Sequence, residues 1–125
     1  MLGVELDEHA VEDAKKNAAL NDRDNCVFAC ADASDLEAWG KPMQRISLVM
    51  ANPPRAGLAP DVIEGIAATR ADRVVYVSCN PETLARDCKR LCAHNYRVAA
   101  IQPVDMFPQT THVEAVVKLE RIKRG

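Results

Sequence analysis

The chain has 125 residues, 48% hydrophobic and 27% charged, with five Cys and only five aromatic side chains. That length suits one compact domain, the apolar and charged balance excludes global disorder, and no apolar run approaches the ~20 residues that span a bilayer. The formal net charge of −2 divides into −5 over residues 1–62 and +3 over residues 63–125, so the second half is the part suited to an anionic partner such as nucleic acid. No basic and apolar leader opens the chain, and an odd cysteine count without a secreted-scaffold rhythm points to reduced thiols in a cytoplasm.

Strand-like and helix-like segments alternate. Leu2 to Glu5 is a short apolar run ending in an acid, and Asp7 precedes a helical pattern with Ala10, Ala14 and Ala18 at four-residue spacing and Val11 beside them. After a polar loop, Cys26 to Ala31 is a second apolar run, followed by Asp32 and a short helix through Leu36 and Trp39 that Gly40-Lys41-Pro42 breaks. Ile46 to Ala51 is a third run, and Asn52-Pro53-Pro54-Arg55-Ala56-Gly57 a stiff loop. Pro60 suits the first turn of a helix with Val62, Ile63, Ile66 and Ala67 on its apolar face. Arg73 to Cys79 is a fourth run. Asn80 and Pro81 then cap and start a helix through Leu84, Cys88, Leu91 and Cys92. Tyr96–Val104 and Val113–Ile122 read as two closing strands joined by a Pro-containing loop. Continuous apolar strands separated by helices predict an α/β open sheet, mostly parallel, with an antiparallel hairpin at one edge.

Ligands of such sheets bind beyond the carboxyl ends of the parallel strands. The residues there are Glu5, Asp32, Asn52 to Arg55 and Ser78 to Pro81. Glu5 reads either as an acceptor for the two hydroxyls of a ribose or as an acid at the dipole of the next helix; Asp32 reads as an acceptor for an adenine amino group or as a plain cap. The two prolines hold Asn52 in extended geometry, where a rigid amide could position a flat base, or simply end a strand. Cys79 falls at a helix N-terminus, where the dipole and free amides favour thiolate, the nucleophilic form. Cys88 and Cys92 share a helix face with Leu84 and Leu91 and read as core. Cys26 and Cys30, read as lying within one strand, would stand about 13 Å apart, too far to share a tetrahedral ion, so no metal site is expected. Glu114, near the start of an antiparallel last strand, reads as a candidate general base or an exposed strand acid.

The stretches Gly3-Val4-Glu5, Asn17-Ala18 with Asn21, Asp32-Ala33, Asn52 to Gly57, Val77-Ser78-Cys79-Asn80-Pro81 with Thr83-Leu84-Ala85-Arg86-Asp87, and Val104 to Thr110 with His112-Val113-Glu114 occur in a distinctive order. Together they resemble the S-adenosylmethionine-dependent RNA uracil-5 methyltransferases, which make 5-methyluridine in tRNA and ribosomal RNA. The resemblance implies a Rossmann-like class I methyltransferase sheet and S-adenosyl-L-methionine as cofactor. It implies Cys79 as the nucleophile on carbon 6 of uracil and Glu114 as the base that removes the carbon 5 proton. Glu5 and Asp32 match the cofactor-binding acids; Asn52 is assigned to the cofactor and, with Pro53, Arg55 and Asn80, to positioning the substrate. The RNA base must leave its stack to reach the thiol.

Two departures from the family pattern stand out. The family usually has Asp where this chain has Asn52, which loses a charge. The family's first strand and Gly-rich loop have no counterpart, since Met1-Leu2-Gly3 opens in the body of a strand. The expectation is therefore a single truncated catalytic domain over 1–125, competent when joined to the preceding part. The alternative is a remnant that folds or self-associates across the missing-strand gap without methyl transfer. Asn-Pro-Pro also occurs in amino-group methyltransferases, which makes methylation of another base or an amine the second enzymatic expectation.

Overall fold

Residues 1–39 and 46–122 are described by the computed structural model, and their strands divide between two sheets. These belong to two units, Met1–Met43 and Gln44–Gly125. In the first, β1 (Leu2–Glu5), α1 (Glu8–Leu20) and β2 (Val27–Cys30) form a parallel β–α–β unit, followed by a 3₁₀ turn over Leu36–Trp39. Helix α1 begins where Asp7 predicts: the Asp7 backbone is extended and its Oδ1 accepts from the amides of His9 (2.8 Å) and Ala10 (3.2 Å), two donors that lack partners within the helix. The alanine spacing misplaces the inner face. Val11 is buried and Ala14 and Ala18 half-buried, whereas Ala10 is exposed, so the helix buries positions i, i+3 and i+7 instead. Gly3 stands opposite Phe28 in the ladder, and a Cβ there would lie 2.8 Å from the Phe28 ring; glycine is what lets that ring pack over β1.

The second unit contains β3 (Leu48–Ala51), α2 (Pro60–Thr69), β4 (Arg73–Ser78), α3 (Pro81–Ala93), β5 (Tyr96–Val104) and β6 (Glu114–Arg121). The sheet order is β3-β4-β6-β5, with β3 and β4 parallel and β6 antiparallel to both its neighbours. The closing hairpin thus forms as expected, and its second strand returns to lie between β4 and β5. Alternate residues along β4 (Val74, Tyr76, Ser78) and β6 (Ala115, Val117, Leu119) are buried, which defines one inner face. The core is completed by Val62, Ile63 and Ile66 of α2 and by Leu84, Cys88 and Leu91 of α3. Strand β5 is the edge, exposed along most of its length; Tyr96 is its buried anchor, donating its hydroxyl to the Ala71 carbonyl at 3.0 Å.

Three readings of the sequence need correction or fall outside the description. Cys92 is exposed, not core, because the apolar stripe of α3 runs through 84, 88 and 91 and leaves position 92 on its outer side. Cys26 precedes β2 and is not inside it. The break at Gly40-Lys41-Pro42 lies outside the described residues. Cys88 does sit in the core, and burial, with the Cys92 and Asp87 side chains adding to it, pushes its thiol up to about 11, so it remains an uncharged packing group. Among the described residues no helix is long and apolar enough to cross a membrane.

Leu91 and Leu119 have no exposed surface, whereas Ile101 on β5 is 64% exposed. Leu91→Ala or Leu119→Ala is expected to cost about 3 kcal/mol in urea unfolding, and Ile101→Ala less than about 0.5 kcal/mol. Equal losses at the three positions would contradict this placement of the core.

Candidate active site

Strands β3 and β4 are parallel with Ala51 opposite Tyr76, so the residues that follow them emerge at the same end of the sheet. After β3 come Asn52, exposed, and Pro53, half-buried; the prolines keep the chain extended before it turns. The turn closes with the Gly57 amide donating to the Pro54 carbonyl at 2.9 Å, with Gly57 at φ 79°. Arg55 lies exposed at its tip. After β4 comes Cys79, half-buried in a tight bend. The Asn80 amide donates to Ser78 Oγ (3.0 Å) and Ser78 Oγ donates to the Asn80 carbonyl (3.1 Å), which brackets the cysteine. Asn80 caps α3 as predicted: its Oδ1 accepts from the Glu82 amide at 3.0 Å, and Pro81 takes the first helical position. Its other side-chain atom, Nδ2, donates to the Arg55 carbonyl at 3.4 Å, so the Asn80 amide faces its own fold.

Glu114 reaches the same end by another route. The last β4–β6 pair is Ser78 with Ala115, so Cys79, which follows Ser78, and Glu114, which precedes Ala115, flank the same end of the ladder. Glu114 is half-buried and pairs with Val104 on its other side. The turn that delivers it is held by local bonds: Thr110 Oγ1 donates to the Phe107 carbonyl (2.7 Å) and the His112 amide donates to Thr110 Oγ1 (3.2 Å). The Phe107 and His112 rings meet edge to face at 6.5 Å.

Beneath the Arg55 turn lies a group the sequence reading did not single out for chemistry. Asp87 is fully buried. Its Oδ2 accepts from the Leu58 amide (2.8 Å) and the Tyr76 hydroxyl (2.8 Å), and its Oδ1 from Arg86 Nε (2.8 Å), with Arg90 Nη1 3.7 Å away. Burial alone would raise its pKa; the bonds from Arg86, the Leu58 amide and Tyr76 overcome that and hold the carboxyl below the usual range. Burial and the same carboxylate push the Tyr76 hydroxyl up, keeping it a neutral donor. The signal in the sequence was a charge inside an apolar stripe, Leu84, Asp87, Cys88 and Leu91, at helical spacing.

In the first unit, Glu5 ends β1 and Asp32 lies two residues beyond the end of its parallel partner β2, and both are exposed. Glu5 Oε1 accepts from the amides of Leu6 (2.7 Å) and Asp7 (3.0 Å). Asp32 Oδ1 accepts from the Ser34 amide and hydroxyl, both at 2.7 Å, and these bonds lower its pKa. Since a carboxylate offers about four lone-pair sites, each acid keeps acceptor capacity for a ligand. No group of three or more His, Cys, Asp or Glu side chains suited to a metal occurs among the described residues.

Because Asp87 is held below its ordinary value of 3.8, the stability it contributes is complete above about pH 4 and is lost as pH falls through its folded-state value. Asp87→Asn is expected to cost about 3 kcal/mol at neutral pH and to lack that acid-range loss. Gly57→Ala would set a Cβ 2.4 Å from Asp87 Oδ2 at a positive φ. It is expected to cost about 2 kcal/mol. Denaturant midpoints recorded from pH 7 down to pH 2 check both; parallel acid profiles for wild type and Asp87→Asn would contradict the first.

The family described as tRNA (uracil-5-)-methyltransferase matches residues 1–122. An RNA methyltransferase of Chlorobaculum tepidum, itself uncharacterized, is 44% identical over 123 residues, covering 96% of this chain and 26% of the relative. One from Gloeobacter violaceus, also uncharacterized, is 48% identical over 121 residues, covering 97% of this chain and 26% of the relative. The chain therefore spans about a quarter of the length of the curated relatives it matches. The crystal structure of Pyrococcus abyssi tRNA (uracil-54, C5)-methyltransferase in complex with S-adenosyl-L-homocysteine superposes with a TM-score of 0.80 at 39% identity, covering 94% of this chain and 28% of that one. By the extent of the match and the fold it shares, the chain belongs to the tRNA (uracil-5-)-methyltransferase family.

Proposed function

We propose that the chain carries the nucleophile-bearing part of an enzyme that methylates carbon 5 of a uridine in tRNA or ribosomal RNA, with S-adenosyl-L-methionine as methyl donor. The observation that supports this reading most directly is the end of the β4–β6 ladder, where Cys79 and Glu114 each lie one residue from the last pair, Ser78–Ala115. Uracil is a poor carbon nucleophile, and covalent activation is the remedy the site offers. The Cys79 thiolate adds to carbon 6, its electron pair forming the C–S bond while the ring's double-bond pair moves toward carbon 5. Bound S-adenosylmethionine would supply the electrophilic methyl group that the carbon 5 pair takes, its sulfonium–methyl bond breaking to leave a neutral thioether. Glu114 then takes the carbon 5 proton, and the pair left behind restores the ring double bond as the C–S bond breaks and the thiolate leaves.

Asn52, Pro53 and Arg55 supply positioning in this reading: a rigid amide beside the base, a fixed backbone, and an exposed cation for the phosphate of an RNA with its base turned out. Asn80 contributes through its bond to the Arg55 carbonyl. The carboxylates of Glu5 and Asp32 fit the ribose hydroxyls and adenine amino group of the cofactor, and the chemistry of that pair is why the cofactor is assigned to them. Methyl transfer is proposed for this chain joined to the remainder of the family's length; cytoplasmic location goes with the same reading.

RNA containing 5-fluorouridine, incubated with cofactor and the protein in its full encoded length, is expected to give a covalent adduct at Cys79, because fluorine at carbon 5 cannot leave as a proton does. Cys79→Ala should abolish the adduct, and Glu114→Gln should cut methylation of ordinary RNA at least ~10²-fold while the thiol still adds. Absence of an adduct, or its persistence in Cys79→Ala, would overturn the reading. In a calorimetric titration the 125 residues alone should bind S-adenosylmethionine more weakly than about 0.1 mM, about 5.5 kcal/mol; micromolar binding would contradict the need for the rest of the family's length.

A further inference from the structure

The turn that carries Arg55 is tied along its length to α3. Asn80 Nδ2 donates to the Arg55 carbonyl at 3.4 Å, and the Thr83 hydroxyl lies within donating distance of both the Arg55 (3.1 Å) and Asn80 (3.2 Å) carbonyls. One turn further along, Arg86 Nη2 donates to the Ala56 carbonyl at 2.9 Å while its Nε holds Asp87. Asp87 in turn accepts from the Leu58 amide. Positions 80, 83, 86 and 87 fall on one helix face and grip successive backbone groups of the turn. The same helix starts two residues after Cys79, and Asp87 also accepts from Tyr76, three residues before Cys79 in β4. Loop and thiol therefore share one frame.

We infer that Arg86 and Asp87 are positioning residues for the addition step: through Ala56 and Leu58 they fix the Asn52–Arg55 turn, and with it the groups that orient uracil, relative to the Cys79 sulfur. The inference rests on the reading of Cys79 as the nucleophile. Neither side chain needs to touch the substrate. Arg86 suits the task because its guanidinium presents Nε and Nη2 in a rigid fork, one to a carboxylate and one to a carbonyl; a lysine ammonium cannot span both in that geometry. Gly57 completes the device, since any side chain there would collide with the Arg86–Asp87 pair. Misplacement of an orienting group by about 1 Å is worth a rate factor of the order of 10².

The test uses the protein in its full encoded length, with cofactor and 5-fluorouridine RNA. Arg86, with 43% of its side chain exposed, can be altered with less risk to the fold than Asp87. Arg86→Ala is expected to slow formation of the Cys79 adduct ~10²-fold, with Arg86→Lys recovering only a small part. Alkylation of Cys79 by iodoacetamide should keep its wild-type rate, and faster amide exchange should be confined to residues 55–58. An adduct formed at the wild-type rate in Arg86→Ala, or full recovery in Arg86→Lys, would overturn the inference. So would slowing accompanied by faster alkylation and lost amide protection across β4 and β6, which marks general loosening. Thr83→Val, which removes a separate tie to Arg55, should slow the adduct in the same way, and an unchanged rate would count against the proposal. Failure of the wild type to form any adduct removes the nucleophile reading and this inference together, and is seen before any Arg86 variant is made.

Discussion

A carboxylate with no exposed surface survives in a protein only when its lost hydration is replaced, and Asp87 is placed where two elements and a loop must supply that replacement. Tyr76 comes from β4, Arg86 from α3 itself, and the Leu58 amide from the segment that links β3 to α2. None of these donors can move away without leaving a buried charge unmatched. The result is that the end of the sheet bearing Cys79 and the turn bearing Asn52 and Arg55 are held as one block by a residue that is in neither. Specific bonds of this kind add modest net stability, and their larger effect is to make alternatives costly.

The direction of the strands decides which chemistry can assemble on that block. In parallel β3 and β4, the residues that come after the strands share an end, which gathers Asn52 and Cys79. A carboxylate arriving on a third parallel strand would have to sit in another strand-to-helix turn. Strand β6 runs the other way, so its first residue rather than its last lies at this end, and Glu114 arrives there directly from the Phe107–His112 turn. The antiparallel hairpin is thus what puts an acid and a thiol at one ladder end in a sheet otherwise suited to loops. Under the proposed function, that end of the sheet is where uracil addition and proton removal would take place.

Much of this was legible in the sequence, for reasons that differ by residue. Asp7 and Asn80 announced helix starts because a short acceptor before a helical pattern has few other uses, and both cap as read. Apolar runs marked every strand, with ends displaced by no more than two residues, as element termini fray. Ala10 and Cys92 were misassigned because spacing of four fits a helix face only approximately over more than two turns, and small or sulfur-bearing side chains do not declare which side they occupy. Asp87 stayed unread because its importance depends on Leu58 and Tyr76, which are 29 and 11 residues distant in the chain. Local pattern could flag a charge in an apolar stripe; it could not supply the partners.

In the proposed reaction Cys79 and Glu114 act on the same uracil, one adding at carbon 6 and the other taking the proton from carbon 5. The most direct measurement follows that proton. With RNA carrying tritium at carbon 5 of uridine, the protein in its full encoded length should release one tritium to water for each methyl group transferred, and Cys79→Ala should release none. Methyl transfer that leaves the carbon 5 tritium in the RNA would contradict the account.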